Sequence, residues 1–323
     1  MNIVIGAKGQ DGSFVYDELS SRHLPVIGVG REGVCKISNI SDDEGEVIRS
    51  LQESLKGWDD DEKVFSDFLM RVGARVIFDC AASHTSTKGF SKVNQGDMYR
   101  KNVKRTTCIQ DSLLLNADQG LKTRLITCGS SLMYDGSGGL RVNEETRMSP
   151  KTGYGYAKMI ARNQCSVLRH FGLEASMAIL FNHDSVRRSK EYFLPRVIKA
   201  VSDYSEDRPI KSFGCLNRHI DIGSAKDVAG ALMKLSQAES LSSDYVVATG
   251  RLTALAEMVD YIGRSFGITG ASKVLGGDEP NENGTNDFLV GDISKIKQEI
   301  EWEPREDIFS VIDKMILRYR DEK

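Results

Sequence analysis

The segment Tyr154-Gly-Tyr-Ala-Lys158 carries residue types that can move a proton. A tyrosine and a lysine four residues apart lie on the same face of a helix, and the surrounding residues have helical spacing. A free phenol titrates near ~10, but a neighbouring ammonium group favours its ionised form. Tyr154 is therefore predicted to act as an acid and a base, with Lys158 beside it. Tyr156 is the weaker candidate because it lies only two residues from Lys158.

A second candidate lies upstream, in the segment TCGSSLMY at residues 127–134, which ends an apolar strand. The hydroxyl group of Ser130 or Ser131 could hydrogen-bond the oxygen of a reacting alcohol or ketone. Serines at the end of a strand also cap turns and helices. The residues alone leave both interpretations open.

The segment GAKGQDG places glycines at positions 6, 9 and 12, directly after the short apolar run NIVI. Between a strand and a helix, such glycines allow a tight turn, close approach of the backbone to phosphates, and close packing of helix on strand. The first turn of the helix then offers free N–H groups to a pyrophosphate. The pattern predicts a dinucleotide site, and a plain glycine-rich turn is the alternative.

The end of the next strand, VIGVGRE, indicates which dinucleotide is bound. NAD sites usually place Asp or Glu there to bond the ribose hydroxyls, whereas this chain has Gly30 followed by Arg31. No carboxylate repels a 2′-phosphate at this position, and a guanidinium group is available to pair with one. NADP is therefore favoured over NAD. The alternative is an arginine that only faces solvent at a strand end.

Strand-like and helix-like segments alternate along the chain, which predicts an α/β fold with a Rossmann-type doubly wound parallel sheet. We assign residues 1–181, with 220–250 returning, to an NADP-binding domain. Residues 182–219 and 251–323 are assigned to a smaller C-terminal substrate-binding region. The acidic segment 32–63 is interpreted as a surface excursion with a helix around Val47 to Leu55.

The bulk composition excludes several classes of protein. A chain of 323 residues, 40% hydrophobic and 28% charged, suffices for one large domain or two coupled ones. A net charge of −3 argues against a nucleic-acid partner, and no apolar run reaches the ~20 residues of a membrane helix. Six cysteines without a CxxC pair predict reduced thiols and no bound metal. We expect a cytoplasmic protein without a signal peptide before the first strand.

These features together resemble the extended short-chain dehydrogenase/reductases of the nucleotide-sugar epimerase/dehydratase family. The likeness is closest to the GDP-mannose 4,6-dehydratase branch. The segment GAKGQDGS resembles its GxxGQDGS, and LFNHDSVRR resembles its LFNHESPRR. Likewise DIGSAKDVAGAL resembles DWGHAKDYVEAM, and GDISKIKQEIEWEP resembles GDPTKAKEKLNWKP. The similarity covers nearly the whole chain apart from the acidic segment after Arg31.

The resemblance implies roles for residues at matching positions. Asp79 would line the cofactor cleft, and Asn102 would support the site. The catalytic residues would be Ser130, Tyr154 and Lys158. The cofactor-binding residues would be Gly6, Gly9, Gln10, Asp11, Gly12, Arg31, Ala81, Ala82 and Lys158. The residues that contact the nucleotide sugar would be His84, Ser131, Asn182, Arg196 and Arg218.

The departures from the branch bear directly on the reaction. Leu132 stands where the dehydratases have the glutamate that removes a proton from C5 and helps expel water from C6. Leucine cannot exchange a proton, so the standard elimination lacks its base. Two substrate-contacting arginines of the branch fall on Ile220 and Glu282, although Arg218 lies near the first. Glu32 replaces an arginine of the inter-subunit cofactor contacts, which favours a homodimer over a tetramer.

Hydride transfer needs a tyrosine, a lysine, a serine and a nicotinamide cofactor, and the residues for it are present. We therefore predict an NADP-dependent oxidoreductase acting at C4 of a nucleotide-activated sugar, as a 4-ketoreductase or a 4-epimerase. One alternative is a GDP-mannose 4,6-dehydratase-like lyase that uses a substitute acid, with His84 and Glu144 as candidates. Another is a non-catalytic NADP-binding sensor or scaffold, a class that has usually lost the tyrosine or the lysine.

Overall fold

The computed structural model describes residues 1–52, 55–84, 91–205, 213–214, 216–276 and 288–322. The predicted arginine replacement at Glu282 lies outside these residues. The strands, in chain order, are β1 (Asn2–Ile5), β2 (Val26–Gly30), β3 (Gly33–Ser38), β4 (Val76–Asp79), β5 (Arg124–Cys128), β6 (Leu140–Val142), β7 (Ala175–Leu180), β8 (Asn182–Asp184), β9 (His219–Ile220), β10 (Ile222–Ser224), β11 (Tyr245–Val247), β12 (Thr253–Ala254) and β13 (Leu289–Gly291).

The helices, in chain order, are α1 (Gln10–Ser21), α2 (Asp42–Leu51), α3 (Glu62–Arg71), α4 (Lys92–Asp118), α5 (Gly153–His170), α6 (Phe193–Ser202), α7 (Ala225–Gln237), α8 (Leu255–Ser265), α9 (Ala271–Leu275), α10 (Ser294–Glu299) and α11 (Ile308–Asp321). Two short 3₁₀ turns cover Trp58–Asp60 and Ser131–Met133. No helix among the described residues combines the length and the apolar character that crossing a membrane requires.

The main sheet has seven strands in the order β11-β7-β5-β4-β1-β2-β3. Strand β1 pairs in parallel with both β2 and β4, so the strand order reverses beside β1. Ligands of open α/β sheets bind at such a reversal, beyond the carboxyl ends of the strands. The predicted α/β fold with a doubly wound sheet is confirmed, and the reversal places the glycine loop at the ligand-binding edge.

Helices cover both faces of this sheet because the central strands are apolar on both sides. In β1, Ile3 and Ile5 point to one hydrophobic cluster and Val4 to another. The first cluster includes residues of α3, α4 and α5, and the second includes residues of α1 and α7. A third cluster joins α6, α8 and α11 in the C-terminal half. Strand β11 pairs with β7 and so returns residues 245–247 to the main sheet.

The segment after Arg31 is part of the core rather than a surface excursion, so that interpretation was wrong. Residues 33–38 form β3, which pairs antiparallel with β2 and extends the sheet. The helix predicted around Val47 to Leu55 begins earlier and ends at Leu51. Ser41 and Glu44 form a capping box at its start. Ile48 and Leu51 of this helix are buried, as are Leu55 and Trp58 after it, whereas Val47 is exposed.

Candidate active site

The glycine loop forms the turn between β1 and α1. Gly6 has φ +82°, and a Cβ atom there would lie 2.9 Å from the backbone of Ala81. A Cβ atom on Gly12 would lie 2.3 Å from the carbonyl oxygen of Gly6, so α1 can approach β1 only with glycine here. Gly9 is the N-cap of α1, and no side chain bonds the N–H groups of the first turn. These features fit a bound pyrophosphate.

A cavity of about 690 Å³ opens beside this loop, a size typical of small-molecule sites. Among the described residues, its wall includes these predicted cofactor and substrate residues: Gly6, Gly9, Gln10, Asp11, Arg31, Ala81, Ala82 and His84. The wall does not include Gly12, Ser130, Ser131, Tyr154, Lys158, Asn182, Arg196 or Arg218. The structure therefore brings most of the predicted cofactor residues together and leaves the predicted catalytic residues and part of the predicted substrate set outside the cavity wall.

Tyr154 and Lys158 lie one helical turn apart near the start of α5. The Lys158 ammonium group is buried, donates a hydrogen bond of 2.6 Å to the carbonyl oxygen of Cys128, and lies 5.6 Å from the centroid of the Tyr154 ring. Burial, followed by the nearby Cys128 thiol, raises the pKa of Tyr154, while the charge of Arg105 opposes that rise. Burial and the same arginine lower the pKa of Lys158.

Ser130 follows β5 and fits both interpretations made from its position. Its Oγ atom accepts a hydrogen bond of 3.2 Å from the backbone N–H of Leu132, so it caps the 3₁₀ turn. A hydroxyl group that accepts in this way still carries a proton to donate. Leu132 itself is 41% exposed. The side chain at this position therefore presents an apolar surface and no acid.

A buried ionic network lies near Tyr154 and Lys158. Its arginine, Arg105, was not predicted from the sequence. Asp79 at the end of β4 is fully buried and accepts hydrogen bonds from Arg105 at 3.2 and 3.4 Å and from Thr127 at 3.0 Å. Arg105 also donates to Asn102, whose side chain bonds both the N–H and the carbonyl group of Ser83. An Asn-x-x-Arg pair on one helix face was the signal in the sequence.

Three aromatic rings line up from this network into the cavity. His84 follows Ser83, and its ring packs edge-on against Tyr154 with 4.8 Å between centroids. The ring of Tyr192 is nearly parallel to that of His84, and its hydroxyl oxygen lies 3.4 Å from His84 Nδ1. The guanidinium carbon of Arg188 lies 4.3 Å from the centroid of the Tyr192 ring. Tyr192 is a second residue that the sequence patterns did not single out.

The opposite end of the cavity lies beyond β2. Arg31 is exposed there, which fits both a contact with a 2′-phosphate and an arginine that only faces solvent. Trp58 forms part of the wall and donates a hydrogen bond of 2.9 Å to the carbonyl oxygen of Gly30. Asp59 and Asp60 also line this end. The segment 32–63 therefore supplies part of the predicted cofactor site.

Several side-chain contacts tie the start of α1 to the C-terminal half of the chain, including contacts of its first two residues. Asp11 Oδ1 lies 3.0 Å from Nε2 of His183, whose Nδ1 atom lies 2.7 Å from the carbonyl oxygen of Phe181. Ser185 donates a hydrogen bond of 2.9 Å to Gln10. Burial alone would lower the pKa of His183, but the Asp11 carboxylate outweighs that effect and raises it. These contacts hold the glycine loop against β8.

The remaining predicted residues make contacts of their own away from the cavity. Asn182 donates a hydrogen bond of 3.2 Å to the carbonyl oxygen of Asp221, and Arg196 lies over the ring of Phe213. Ser131 is buried and Arg218 is exposed, and their substrate roles stay predictions. Glu144 is buried and accepts a hydrogen bond of 2.7 Å from the backbone N–H of Val246. Glu144 is not part of the cavity wall, and its role as a substitute acid stays a prediction.

Comparison with known proteins identifies the family to which the chain belongs. The family model described as GDP-mannose 4,6 dehydratase matches residues 3–315. A curated relative, GDP-mannose 4,6-dehydratase sdnI of Sordaria araneosa, is 25% identical over 97% of this chain, which spans only 60% of that relative's length.

Two solved structures share the fold over at least 99% of each chain. MoeE5, in complex with UDP-glucuronic acid and NAD, is 19% identical with a TM-score of 0.76. RMD from Pseudomonas aeruginosa, complexed with NADPH, is 14% identical with a TM-score of 0.75. The Rossmann fold, the glycine loop and the Tyr154–Lys158 pair therefore define an enzyme of the short-chain dehydrogenase/reductase class. Within that class, the chain belongs to the GDP-mannose 4,6-dehydratase family of nucleotide-sugar dehydratases and epimerases.

Proposed function

We propose that this protein is an NADP-dependent oxidoreductase that transfers a hydride at C4 of a nucleotide-activated sugar, as a 4-ketoreductase or a 4-epimerase. The observation that carries the proposal is the contrast between helix α5 and the 3₁₀ turn at Ser131–Met133. Tyr154 and Lys158 are in place on α5, while Leu132, two residues after Ser130, offers no proton-transfer group. Tyr154 lies next to the cavity through its ring contact with the cavity-lining His84, and the position of the family's glutamate carries no acid.

In the proposed reaction, the sugar oxygen at C4 lies within hydrogen-bond distance of Tyr154 and Ser130. A bound nicotinamide supplies or accepts the hydride at C4. In reduction, Tyr154 donates its hydroxyl proton to that oxygen, and the resulting phenolate is stabilised by the buried charges of Lys158 and Arg105. The hydrogen bond from Lys158 to Cys128 fixes the ammonium group to the end of β5. Oxidation runs through the same groups in reverse.

The preference for NADP rests on the charges at the end of β2. Arg31 and Lys8 line the same end of the cavity, and both can pair with a 2′-phosphate. Asp59 and Asp60 also line this end and would oppose that phosphate, but Asp60 forms an ion pair with Lys104. The arginine and lysine therefore outweigh the remaining carboxylate. The related structures include one with NAD and one with NADPH.

Two further parts of the proposal concern the substrate and the assembly. The related MoeE5 binds a UDP-sugar, and the C-terminal residues 182–219 and 251–323 are proposed to hold the equivalent part of the substrate. A homodimer is proposed because α4 and α5 pack side by side and present exposed apolar side chains. These side chains are Val93, Leu115, Tyr156, Val167 and Phe171.

The test combines the purified protein and NADPH with GDP-, UDP- and dTDP-linked 4-keto-6-deoxy sugars, and follows loss of NADPH absorbance. We expect oxidation with at least one of them. A parallel incubation with GDP-mannose, read by mass spectrometry, tests the lyase alternative that the family membership supports. Loss of one water there, without NADPH oxidation in the first assay, would overturn the oxidoreductase proposal. A 4-epimerase consumes no NADPH, so a third incubation follows the configuration at C4 of GDP-, UDP- and dTDP-linked hexoses by NMR. Bound NADP with none of the three reactions would favour the sensor or scaffold.

A further inference from the structure

A titratable pair in the cavity has no part in the hydride-transfer scheme. His84 and Tyr192 both line the cavity, and their polar atoms Nδ1 and Oη lie 3.4 Å apart. They come from distant parts of the chain, the end of β4 and the start of α6. The reaction at C4 uses Tyr154 and Lys158 and does not require a histidine–tyrosine pair. The presence of His84 and Tyr192 in the cavity therefore needs another explanation.

The position of His84 is held by buried groups. The residue before it, Ser83, is bonded through both its N–H and carbonyl groups to the side chain of Asn102. Asn102 is buried and in turn bonded to Arg105 and to the carbonyl oxygen of Met98. This support fixes the backbone that precedes His84, while the exposed imidazole is positioned by its contacts with Tyr154 and Tyr192.

His84 also lies next to the reacting centre. Its ring centroid is 4.8 Å from that of Tyr154, which bonds the carbonyl oxygen in the proposed reaction. The carbons on either side of a ketone lie only two bonds from that oxygen. A base one ring away from Tyr154 is therefore within reach of a hydrogen on one of these carbons. Such hydrogens are acidic because the resulting enolate places its charge on the same carbonyl oxygen.

The protonation state of His84 suits a base. Its partial desolvation, followed by the charges of Arg188 and Lys158, lowers its pKa below the ordinary range of histidine. The imidazole is then neutral at neutral pH and can accept a proton. In the tautomer that donates Nδ1–H to the hydroxyl oxygen of Tyr192, the Nε2 atom keeps its lone pair.

We propose that His84, held by Tyr192, removes and returns a proton on a carbon adjacent to the 4-keto group of the sugar. This inference rests on the proposed function for the identity of the substrate. The C–H bond breaks, its proton goes to Nε2 of His84, and its electron pair forms the C=C bond of an enolate. The carbonyl electron pair moves onto the oxygen, where the hydroxyl groups of Tyr154 and Ser130 stabilise the charge. Return of a proton regenerates the ketone, with no oxidant or reductant consumed.

The experiment incubates the protein in D₂O with GDP-4-keto-6-deoxymannose and its UDP- and dTDP-linked counterparts, with an enzyme-free blank. One arm omits NADPH and measures deuterium on the sugar carbons by NMR and mass spectrometry. The other arm contains NADPH and measures its oxidation. We expect the wild-type protein to incorporate deuterium at a carbon adjacent to the ketone, well above the blank.

Variants assign the exchange to the pair. His84→Asn should lower the ratio of exchange to NADPH oxidation by about 100-fold, the scale of a lost general base. Tyr192→Phe should lower it by about tenfold, because one hydrogen bond is lost and the imidazole remains. The matched control is His170→Asn, which makes the same change at an exposed position at the end of α5. It should leave the ratio unchanged.

The outcomes separate this inference from the proposed function. NADPH oxidation without deuterium incorporation, or wild-type exchange by His84→Asn, overturns the role of His84 and leaves hydride transfer standing. Deuterium incorporation without NADPH oxidation supports the His84–Tyr192 pair and overturns the oxidoreductase proposal. Absence of both with every sugar overturns both.

Discussion

The two ends of the cleft are built in different ways. At the catalytic end, Lys158 bonds the end of β5, and the neighbouring Arg105 bonds the buried Asp79 at the end of β4. These supports belong to regular elements that any doubly wound sheet contains. At the far end, beyond β2, the wall includes the 3₁₀ turn Trp58–Asp60, whose first residue bonds Gly30. That support comes from the segment 32–63.

The difference separates two kinds of wall within one molecule. The proposed catalytic end carries groups that can move a proton to and from an oxygen, whereas the far end carries an aromatic ring and a mixture of charges. Changes at the catalytic end should therefore act on the rate of the chemical step. Changes at the far end should act on stability and on the choice of dinucleotide.

The largest expected effect is at the catalytic end. Tyr154→Phe removes the proposed proton donor while keeping the ring that packs on His84. We expect the rate of NADPH oxidation with a 4-keto sugar to fall by about 10³-fold, within the range of general acid catalysis. Steady-state kinetics at saturating NADPH measures the change.

The matched control for this variant is Tyr156→Phe, the same change two residues along the helix on an exposed side chain. It should leave kcat unchanged. Comparable losses in the two variants would remove the assignment of the proton donor to Tyr154 and, with it, the contrast between the two ends.

The sequence placed the glycine loop and the Tyr154–Lys158 pair on the correct elements and missed the structure of the segment 32–63, for a physical reason. The roles of these site residues stay predictions. The glycine loop and the Tyr154–Lys158 spacing depend on local geometry, which the periodicity of a strand or a helix determines. The contact from Trp58 to Gly30 joins residues 28 positions apart and depends on tertiary packing. An acidic, weakly periodic segment contains little local information about such packing.

The same limit applies to the buried supports of the catalytic end. Asn102 could be assigned by its resemblance to the family, but the pairing of Arg105 with Asp79 joins residues 26 positions apart. Tyr192 meets His84 across 108 positions. Single side chains can be nominated from their type and neighbourhood, whereas the partners that orient them become visible only once the sheet brings distant strand ends together.

The second prediction tests whether the end of the cavity beyond β2 depends on the segment 32–63. Trp58 is 2% exposed and stacks on Phe65 at 4.2 Å. Trp58→Ala should lower the free energy of unfolding by about 3–5 kcal/mol, the cost of removing a large buried aromatic side chain. It should also weaken NADPH binding, because the cavity loses part of its wall. Chemical denaturation and fluorescence titration with NADPH measure the two effects.

The other tryptophan of the chain provides the control. Trp302 is also buried, with its indole N–H bonded to the carbonyl oxygen of Asp227, and it is not part of the cavity wall. Trp302→Ala should lower stability by a similar amount and leave NADPH affinity unchanged in the folded protein. Equal losses of affinity in both variants would show that Trp58 has no specific role at the far end.

The third prediction concerns the choice of dinucleotide. Arg31→Ala should lower the ratio of NADP to NAD affinity by about 30-fold, because a charge-assisted hydrogen bond contributes about 2 kcal/mol. The effect should fall with increasing salt, since the side chain is exposed. Titration with both oxidised dinucleotides gives the ratio. Arg71→Ala, an exposed arginine on α3 paired with Asp67, is the control. An unchanged ratio in Arg31→Ala would move the cofactor assignment towards NAD.

The smallest expected effect lies between the two ends, where Asp11 joins the glycine loop to His183. The carboxylate overcomes the effect of burial and raises the pKa of His183 above that of the unfolded chain. The pair therefore stabilises the fold fully below about pH 6.5, and this stabilisation is lost as pH rises through the raised pKa. Asp11→Asn should destabilise the protein by about 1–2 kcal/mol at about pH 6 and by less at about pH 9. Asp17→Asn, whose partner Arg187 stays charged throughout, should show no such pH dependence. A loss in Asp11→Asn that is constant from about pH 6 to 9 would mean that the loop is held by Gln10 and Ser185 instead.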